Sequence, residues 1–429
     1  MRIGIIIGRI GGIDGVALET EKWIEVLNRM GHQTYVISGQ FEDRSISPEY
    51  ETVVPEMSFF SPENYWIRKK AFYYPDSNED ELIDHIDLYS EAMCKKITDW
   101  VHEKKIDLLV SENFSAIPSH LLMGLAVKKA FQTFGLPAIT HDHDFIRERD
   151  DRFISPYKKI NDLIDNTFPL RLPNSIHAVL NSHDRETLRN KFTRDSVIVP
   201  YVMDFDKPFG MLTEENEYLH RNLGYESDDI LLFQTTRILR NKGIETAIKL
   251  IYKLEDKKIK LVITGNYNDD AGEYYMELTE LIHLLKLEDQ VYFAHQHFNN
   301  KGGTSPDSEQ NYSLSDAYAQ ARACTCFSSY EGFGNTFVEA VAAKRPVFVN
   351  NYKPVFWSDI GSKGFKTVMI EDGKLTDNAV GEIKEIIYNK DLNREIAEYN
   401  YSLGKKLFSY DTLKVKLEEL LKKAVNAAL

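Results

Sequence analysis

The sequence predicts an α/β protein made of two Rossmann-like, doubly wound domains. Three observations predict it. Short apolar runs alternate with amphipathic helical runs along most of the chain, the pattern of parallel strands joined by crossover helices. The first such unit has a glycine-rich turn, Gly8-Arg9-Ile10-Gly11-Gly12-Ile13-Asp14-Gly15, between strand and helix. The same strand–loop–helix pattern then restarts at Ile230.

The elements follow in order. Ile3–Ile7 reads as the first strand. Val16–Arg29 is an amphipathic helix with Trp23, Val26, Leu27 and Met30 on one side, stopped by Gly31. Thr34–Ser38 completes a βαβ unit. Residues 41–80, rich in Pro, Ser, Glu and aromatics, read as an excursion with little regular structure. Helix Glu79–Glu103, strand Ile106–Ser111, helix Ser119–Phe134 and strand Pro137–Thr140 resume the alternation. Strands Ala178–Asn181 and Ser196–Val199 close the first half. In the second half strands are expected at Ile230–Thr235, Ile259–Thr264, Val291–Ala294, Cys324–Ser328 and Pro346–Asn350. Helices lie between them, from Ile244, at Glu273–Lys286, Leu314–Ala321 and Asn335–Ala343. Asp411–Ala428 is a last amphipathic helix. The expected domains are 1–203 and 204–408, with 409–429 as a helix that packs back on the first. Sheets of this kind bind ligands at strand C-terminal ends, and two facing sheets would line a shared cleft.

Composition bounds the function. The 429 residues carry a net charge of −14, 52 basic against 66 acidic side chains. That opposes general adhesion to nucleic acid or anionic membranes, but not a local cationic pocket. Three cysteines are too few for a disulfide framework and suit a reducing compartment. Cys324 and Cys326 read as buried strand residues, because no second pair completes a zinc site. MRIGIII reads as a strand rather than a leader, and no apolar run approaches the ~20 residues that span a bilayer. The expectation is a soluble cytoplasmic protein.

The sharpest motif is Glu331-Gly332-Phe333-Gly334-Asn335-Thr336-Phe337-Val338-Glu339. Gly332 and Gly334 let backbone N–H groups approach a ligand, and the helix from Asn335 offers its positive end to an anion. Glu331 sits on the loop. Glu339, about one turn into the helix, suits paired hydrogen bonds to a ribose diol. The structural alternative makes Glu331 a capping acid and Glu339 a solvated one. Arg237 and Lys242, five positions apart after the first strand of the second domain, suit a leaving diphosphate; a solvated basic turn is the alternative. Arg240 reads as solvated.

After strand Pro137–Thr140 comes His141-Asp142-His143-Asp144. Imidazole and carboxylate are metal ligands, but alternate residues beyond a strand need not converge. The sequence offers no third ligand, so no metal is assigned. Arg147, Arg149 and Arg152 follow, either as a salt-bridged helix face or as a bidentate grip on an acidic acceptor; Arg68, Lys69 and Lys70 add to the second reading. His295 and His297 read as structural or surface residues. The first glycine loop is not a strict G-x-G-x-x-G, and Ser38-Gly39 stands where a dinucleotide fold needs an acid.

Glu331-Gly332-Phe333-Gly334 with Glu339 resembles the E-x7-E motif of retaining GT-B glycosyltransferases, family 4, over nearly the whole chain; residues 41–80 and 295–312 match least. The resemblance implies front-side transfer of a hexose from a nucleotide-diphosphate sugar, UDP- or GDP-linked, to a small hydroxylated acceptor. No metal is obligatory, although Mg2+ is compatible. It implies Arg237 and Lys242 on the diphosphate, Glu331 and His143 by the donor sugar, and Glu339 on the ribose. Gly12, Gly15, Gly265, Phe333, Gly334, Asn335 and Thr336 would line the donor, and His141, Arg147 and Arg149 the acceptor. The run Asn350–Ile360 with Gly364-Phe365 resembles the branch that makes glucosylglycerate-type solutes, which implies GDP-mannose and an anionic acceptor such as glucosylglycerate. A homo-oligomer is compatible with this reading. A disaccharide phosphorylase, a nucleotide-sugar epimerase and a non-catalytic sugar-nucleotide binder remain alternatives.

Overall fold

The computed structural model describes residues 1–12, 14–43, 45–74, 78–143, 145, 150–265, 272–298, 303–304 and 310–429. It divides into two compact units, Met1–Pro200 with Tyr410–Leu429, and Tyr201–Ser409.

In the first unit the strands are β1 (Arg2–Ile7), β2 (Gln33–Ser38), β3 (Glu51–Val53), β4 (Leu108–Glu112), β5 (Ala138–Asp142), β6 (Ser175–Val179) and β7 (Ser196–Ile198). They form a parallel sheet in the order β3-β2-β1-β4-β5-β6-β7. The strands are buried almost throughout, which is why they read as continuous apolar runs rather than as alternating ones. Helices α1 (Gly15–Arg29), α2 (Glu79–Lys104) and α3 (Leu121–Phe134) provide crossovers. Asp14 caps α1 by accepting from the Val16 and Ala17 N–H groups. Trp100, Ile106, Leu109, Leu122, Val127 and Phe131 are among the residues of the core that α2 and α3 form with the sheet.

The excursion at 41–80 is more ordered than its composition suggests. Glu51–Val53 adds an edge strand to the sheet, and Pro62–Arg68 is a helix capped by Ser61. Asn64 of that helix is buried and donates to the Phe59 and Ser119 carbonyls. Ile67 and Ala71 enter the main core. The expected lack of regular structure is thus corrected: polar composition hid two anchor residues spaced on one helical face.

The second unit has strands β8 (Ile230–Gln234), β9 (Ile259–Ile263), β10 (Val291–Phe293), β11 (Ala323–Cys326), β12 (Val347–Asn350) and β13 (Val368–Ile370). Their order is β10-β9-β8-β11-β12-β13, all parallel. Helix α4 (Leu314–Gln320) precedes β11, and α5 (Asn335–Ala342) follows it. Cys324 and Cys326 are buried in β11 as free thiols, and burial raises the pKa of both. The strand β13 and the helices Lys158–Thr167, Ser182–Phe192, Asp377–Tyr388 and Lys390–Phe408 were not foreseen as elements. Finally α6 (Tyr410–Ala428) packs on α1, β5 and β6 of the first unit.

Both sheets reverse direction of growth beside their first strand, between β1 and β4 and between β8 and β11. Such switch points leave a crevice at the strand C-terminal ends, where ligands of open α/β sheets bind.

Candidate functional site

At the switch point of the second unit, β8 runs into Thr235, Thr236 and Arg237, and a short helical turn, Arg240–Lys242, follows. β11 runs into the loop 327–334. Cross-links hold the two segments together. Ser329 N donates to Asn241 O (2.8 Å) and Asn241 Nδ2 to Tyr330 O (3.3 Å), while Gln234 Nε2 braces the turn against its own strand through Lys242 O (2.9 Å). Lys242 Nζ then meets Glu331 Oε1 at 2.5 Å, and Ser328 Oγ donates to the same oxygen at 2.7 Å. The Lys242 and Glu331 side chains are only 14% and 16% exposed, a partly desolvated pair in which charge acts strongly. Glu331 is therefore neither a helix cap nor a solvated acid. Arg237 is exposed. Arg240 makes a paired contact with Glu277 on the surface, 2.6 Å for each bond.

The glycine loop is shaped by contacts that exclude larger residues. Gly334 has φ +121°, and a Cβ there would lie 2.1 Å from Tyr352 Oη. The Tyr352 hydroxyl donates to Phe333 O at 2.7 Å. Phe333 itself is 1% exposed and packs on Phe408 and Tyr201, so its ring belongs to the core and only its backbone is left for a ligand. Asn335 and Thr336 open α5, which has no side-chain cap, so the helix keeps its N-terminal N–H groups for another acceptor. Asn335 Oδ1 is buried without a hydrogen-bond partner among the described residues. Glu339, half-buried on α5, accepts from the Tyr318 hydroxyl at 2.9 Å. Gly265, just after β9, faces the β8 end: a Cβ would fall 1.9 Å from Thr236 O.

In the first unit a second group of polar residues gathers at the ends of β4 and β5. Glu112 is the register partner of His141, and His143 lies two positions on, so strand alternation puts all three on one side. His141 Nδ1 is 2.9 Å from Glu112 Oε2, and His143 Nε2 is 3.6 Å from the same oxygen. His143 N donates to Asn113 Oδ1 at 3.1 Å. The two imidazoles stand 4.2 Å apart, and His141 stacks on Trp23 of α1 at 4.1 Å. All three members of the cluster are buried. Burial works to raise the Glu112 pKa, but the attraction and hydrogen bonds of His141 and His143 prevail and hold it at about 2. Glu19 of α1, buried beside Lys22 at 3.0 Å, is pushed up by burial.

The two histidines of the H-x-H motif thus do converge, and the third candidate ligand exists. The ligand atoms of Glu112, His141 and His143 lie within 4.8 Å of one another. Glu112 escaped notice because a lone acid at a strand end has no spacing signature; only register with β5 reveals it. Glu112 Oε2 holds His141 through Nδ1, while His141 Nε2 and Glu112 Oε1 are buried without a hydrogen-bond partner among the described residues, so the cluster is a carboxylate–imidazole network that also offers the donor set of a metal site. A separate buried network joins Asp142 to His177 (2.6 Å), Thr140 (2.9 Å) and Ser115 (2.9 Å). Gly12 packs against Glu42, and Gly15 is the first residue of α1. His295–His297 is a short helical turn in which His297 Nε2 meets the Tyr292 hydroxyl at 3.0 Å. Arg147 and Arg149, with Ile13 and Asp144, lie outside the described residues.

Residues 215–403, which include every second-unit site residue above, match the family model described as glycosyl transferases group 1. A mannosylglucosylglycerate synthase of Thermotoga maritima is 30% identical across 99% of this chain and 100% of its own length. Among solved structures, a sucrose-phosphate synthase from Thermosynechococcus elongatus superposes with a TM-score of 0.67 at 14% identity, covering 99% of each chain. The Anabaena protein Alr3699/HepE, solved with UDP and glucose, gives 0.66 at 15% identity over 99% of this chain and 100% of that one. These structures share the GT-B fold, with its two Rossmann-like domains. The chain belongs to the group 1 glycosyl transferases.

Proposed function

We propose that the protein transfers a hexose, with retention of anomeric configuration, from a nucleotide-diphosphate sugar to a small anionic acceptor. GDP-mannose and glucosylglycerate are the first pair to test. One observation carries the reading: the partly desolvated Lys242–Glu331 pair at the switch point of the second unit, with Arg237 on the same strand end and Glu339 on the adjoining helix. The near full-length likeness to a mannosylglucosylglycerate synthase supports the acceptor class.

The chemistry follows from charge. Breaking the bond between the sugar C1 and the diphosphate oxygen leaves the electron pair on the diphosphate. Fixed cations lower that barrier because they need no reorganisation as charge develops. Arg237 offers a planar fork for two oxygens, and Lys242 a compact charge. With both in place no metal is obligatory at the leaving group. The backbone N–H groups of Gly334, Asn335 and Thr336 add an anion cradle, and Gly265 allows close approach. The acceptor hydroxyl attacks C1 from the face the diphosphate leaves, and its proton passes to the departing phosphate oxygen. Glu331 sits by the donor sugar and holds Lys242 in place. Glu339 accepts from the ribose diol.

The first unit recognises the acceptor, and His143 at the end of β5 is its residue proposed to bond a sugar hydroxyl. Glu112 Oε2 bonds His141 and lies 3.6 Å from His143 Nε2, so its charge faces both rings.

The test is a thermal-shift screen of UDP-, GDP- and ADP-hexoses, followed by product identification with glucosylglycerate. A donor that binds only the folded state raises Tm, and a glycosylated product must appear with that donor. No shift with any donor, or phosphate-dependent release of sugar phosphate from a disaccharide, overturns the reading.

A further inference from the structure

One buried tyrosine stands behind the acid assigned to the ribose. Tyr318, on α4, has no exposed surface. Its hydroxyl is 2.6 Å from Thr235 Oγ1 and donates to Glu339 Oε2 at 2.9 Å. Its backbone is fixed as well: Arg345 Nε donates to Tyr318 O at 2.7 Å, and Arg345 Nη2 to Ala319 O at 2.8 Å. Phe209 packs on its ring at 5.4 Å. Burial, and then the Glu339 charge, raise the phenol pKa well above its ordinary value, so the hydroxyl remains a donor.

A glutamate carboxylate, three bonds from the backbone Cα, samples several rotamers unless something holds it, and a diol needs both of its donors met in one plane. A charge-assisted hydrogen bond from a buried, immobile phenol supplies that constraint. The oxygen it reaches still has a lone pair for a ligand hydroxyl. Thr235 lies two residues before Arg237 on the same strand end, so the hydroxyl chain Thr235–Tyr318–Glu339 ties the ribose acid to the strand that carries the diphosphate cation.

We propose that Tyr318 is the positioning residue for Glu339, and that it sets the preference for ribo- over 2′-deoxyribonucleoside diphosphates. The inference rests on the assignment of Glu339 to the ribose.

Titration calorimetry of GDP, UDP and their 2′-deoxy forms tests it, with wild type, Tyr318→Phe and Glu339→Gln compared. The ribo form should bind Tyr318→Phe about tenfold more weakly while the 2′-deoxy form changes less than about twofold. The preference ratio then falls, an outcome that mere loosening of the core would not give, because loosening weakens both forms alike. An unchanged ratio in Tyr318→Phe beside a collapsed ratio in Glu339→Gln overturns the positioning role and leaves the ribose assignment standing. An unchanged ratio in Glu339→Gln overturns both. Should Tyr318→Phe not fold, Thr235→Val removes the far end of the chain and must lower the same ratio about threefold; no change there also overturns the proposal.

Discussion

The site chemistry concentrates in a few side chains whose partners define what each can do. Lys242 is committed to Glu331, and Arg237 is exposed beside it on the strand end. Replacing either cation with alanine should lower kcat by about a hundredfold or more, the scale of one preorganised charge-stabilising donor. Both side chains lie outside the hydrophobic core, so circular dichroism should be unchanged. Steady-state kinetics with unaltered kcat/KM in both variants would remove them from the leaving group. Glu339→Ala should weaken nucleoside diphosphate binding about tenfold by calorimetry, the scale of hydrogen bonds to a charged group. These residues were legible because their spacing bridges a strand end and a helix start. Glu112 was not: its meaning comes from lying beside His141 in a neighbouring strand about thirty positions away. Tyr318 was hidden for the same reason, since its contacts to Thr235 and Glu339 are purely tertiary.

Elements carry the precision that residues need. The loop 327–334 depends on Gly334, where the backbone is left-handed and a side chain would strike Tyr352. Gly334→Ala should lower Tm and cut transfer more than tenfold, a scale set by strain and overpacking together; equal Tm and equal kcat would show that the loop tolerates both. At the start of α3, the buried His120 accepts from Met123 N through Nδ1 and meets Glu56 O through Nε2 at 3.0 Å. Burial lowers its pKa from 6.5 to about 4. The unfolded chain takes up this proton below about pH 6.5 and the folded protein only near 4, so the contribution is full above 6.5 and is lost as pH falls toward 4. Urea unfolding should therefore show falling stability from pH 6.5 to 4, and His120→Asn, which keeps a capping side chain, should flatten that slope. An identical slope in the variant would exclude His120 as the cause. Most strands and the crossover helices between them were legible in the sequence to within a few residues, whereas β13 and amphipathic helices such as Asp377–Tyr388 and Lys390–Phe408 were not. The order within 41–80 was not, because it hangs on Asn64 and Ile67 reaching a core built by distant segments.

For the whole molecule, the alternation of strands and helices predicted two doubly wound units, and the sheets have that form with a switch point in each. The sequence also made the last helix an amphipathic element, and α6 buries Leu413, Leu417, Leu420 and Leu421 on the first unit. The net charge of −14 opposes general adhesion to nucleic acid or anionic membranes, and leaves room for a local pair of cations at a ligand site. Among the described residues no helix is long and apolar enough to cross a membrane. We propose retaining hexosyl transfer driven by leaving-group stabilisation at Arg237 and Lys242. Its most direct test is NMR of the product formed from GDP-mannose and glucosylglycerate, by wild type and by Lys242→Ala. Wild type should form a new glycosidic bond with the donor's anomeric configuration, and the variant should form it at least a hundredfold more slowly. An inverted anomer, or a variant as fast as wild type, would contradict the proposal.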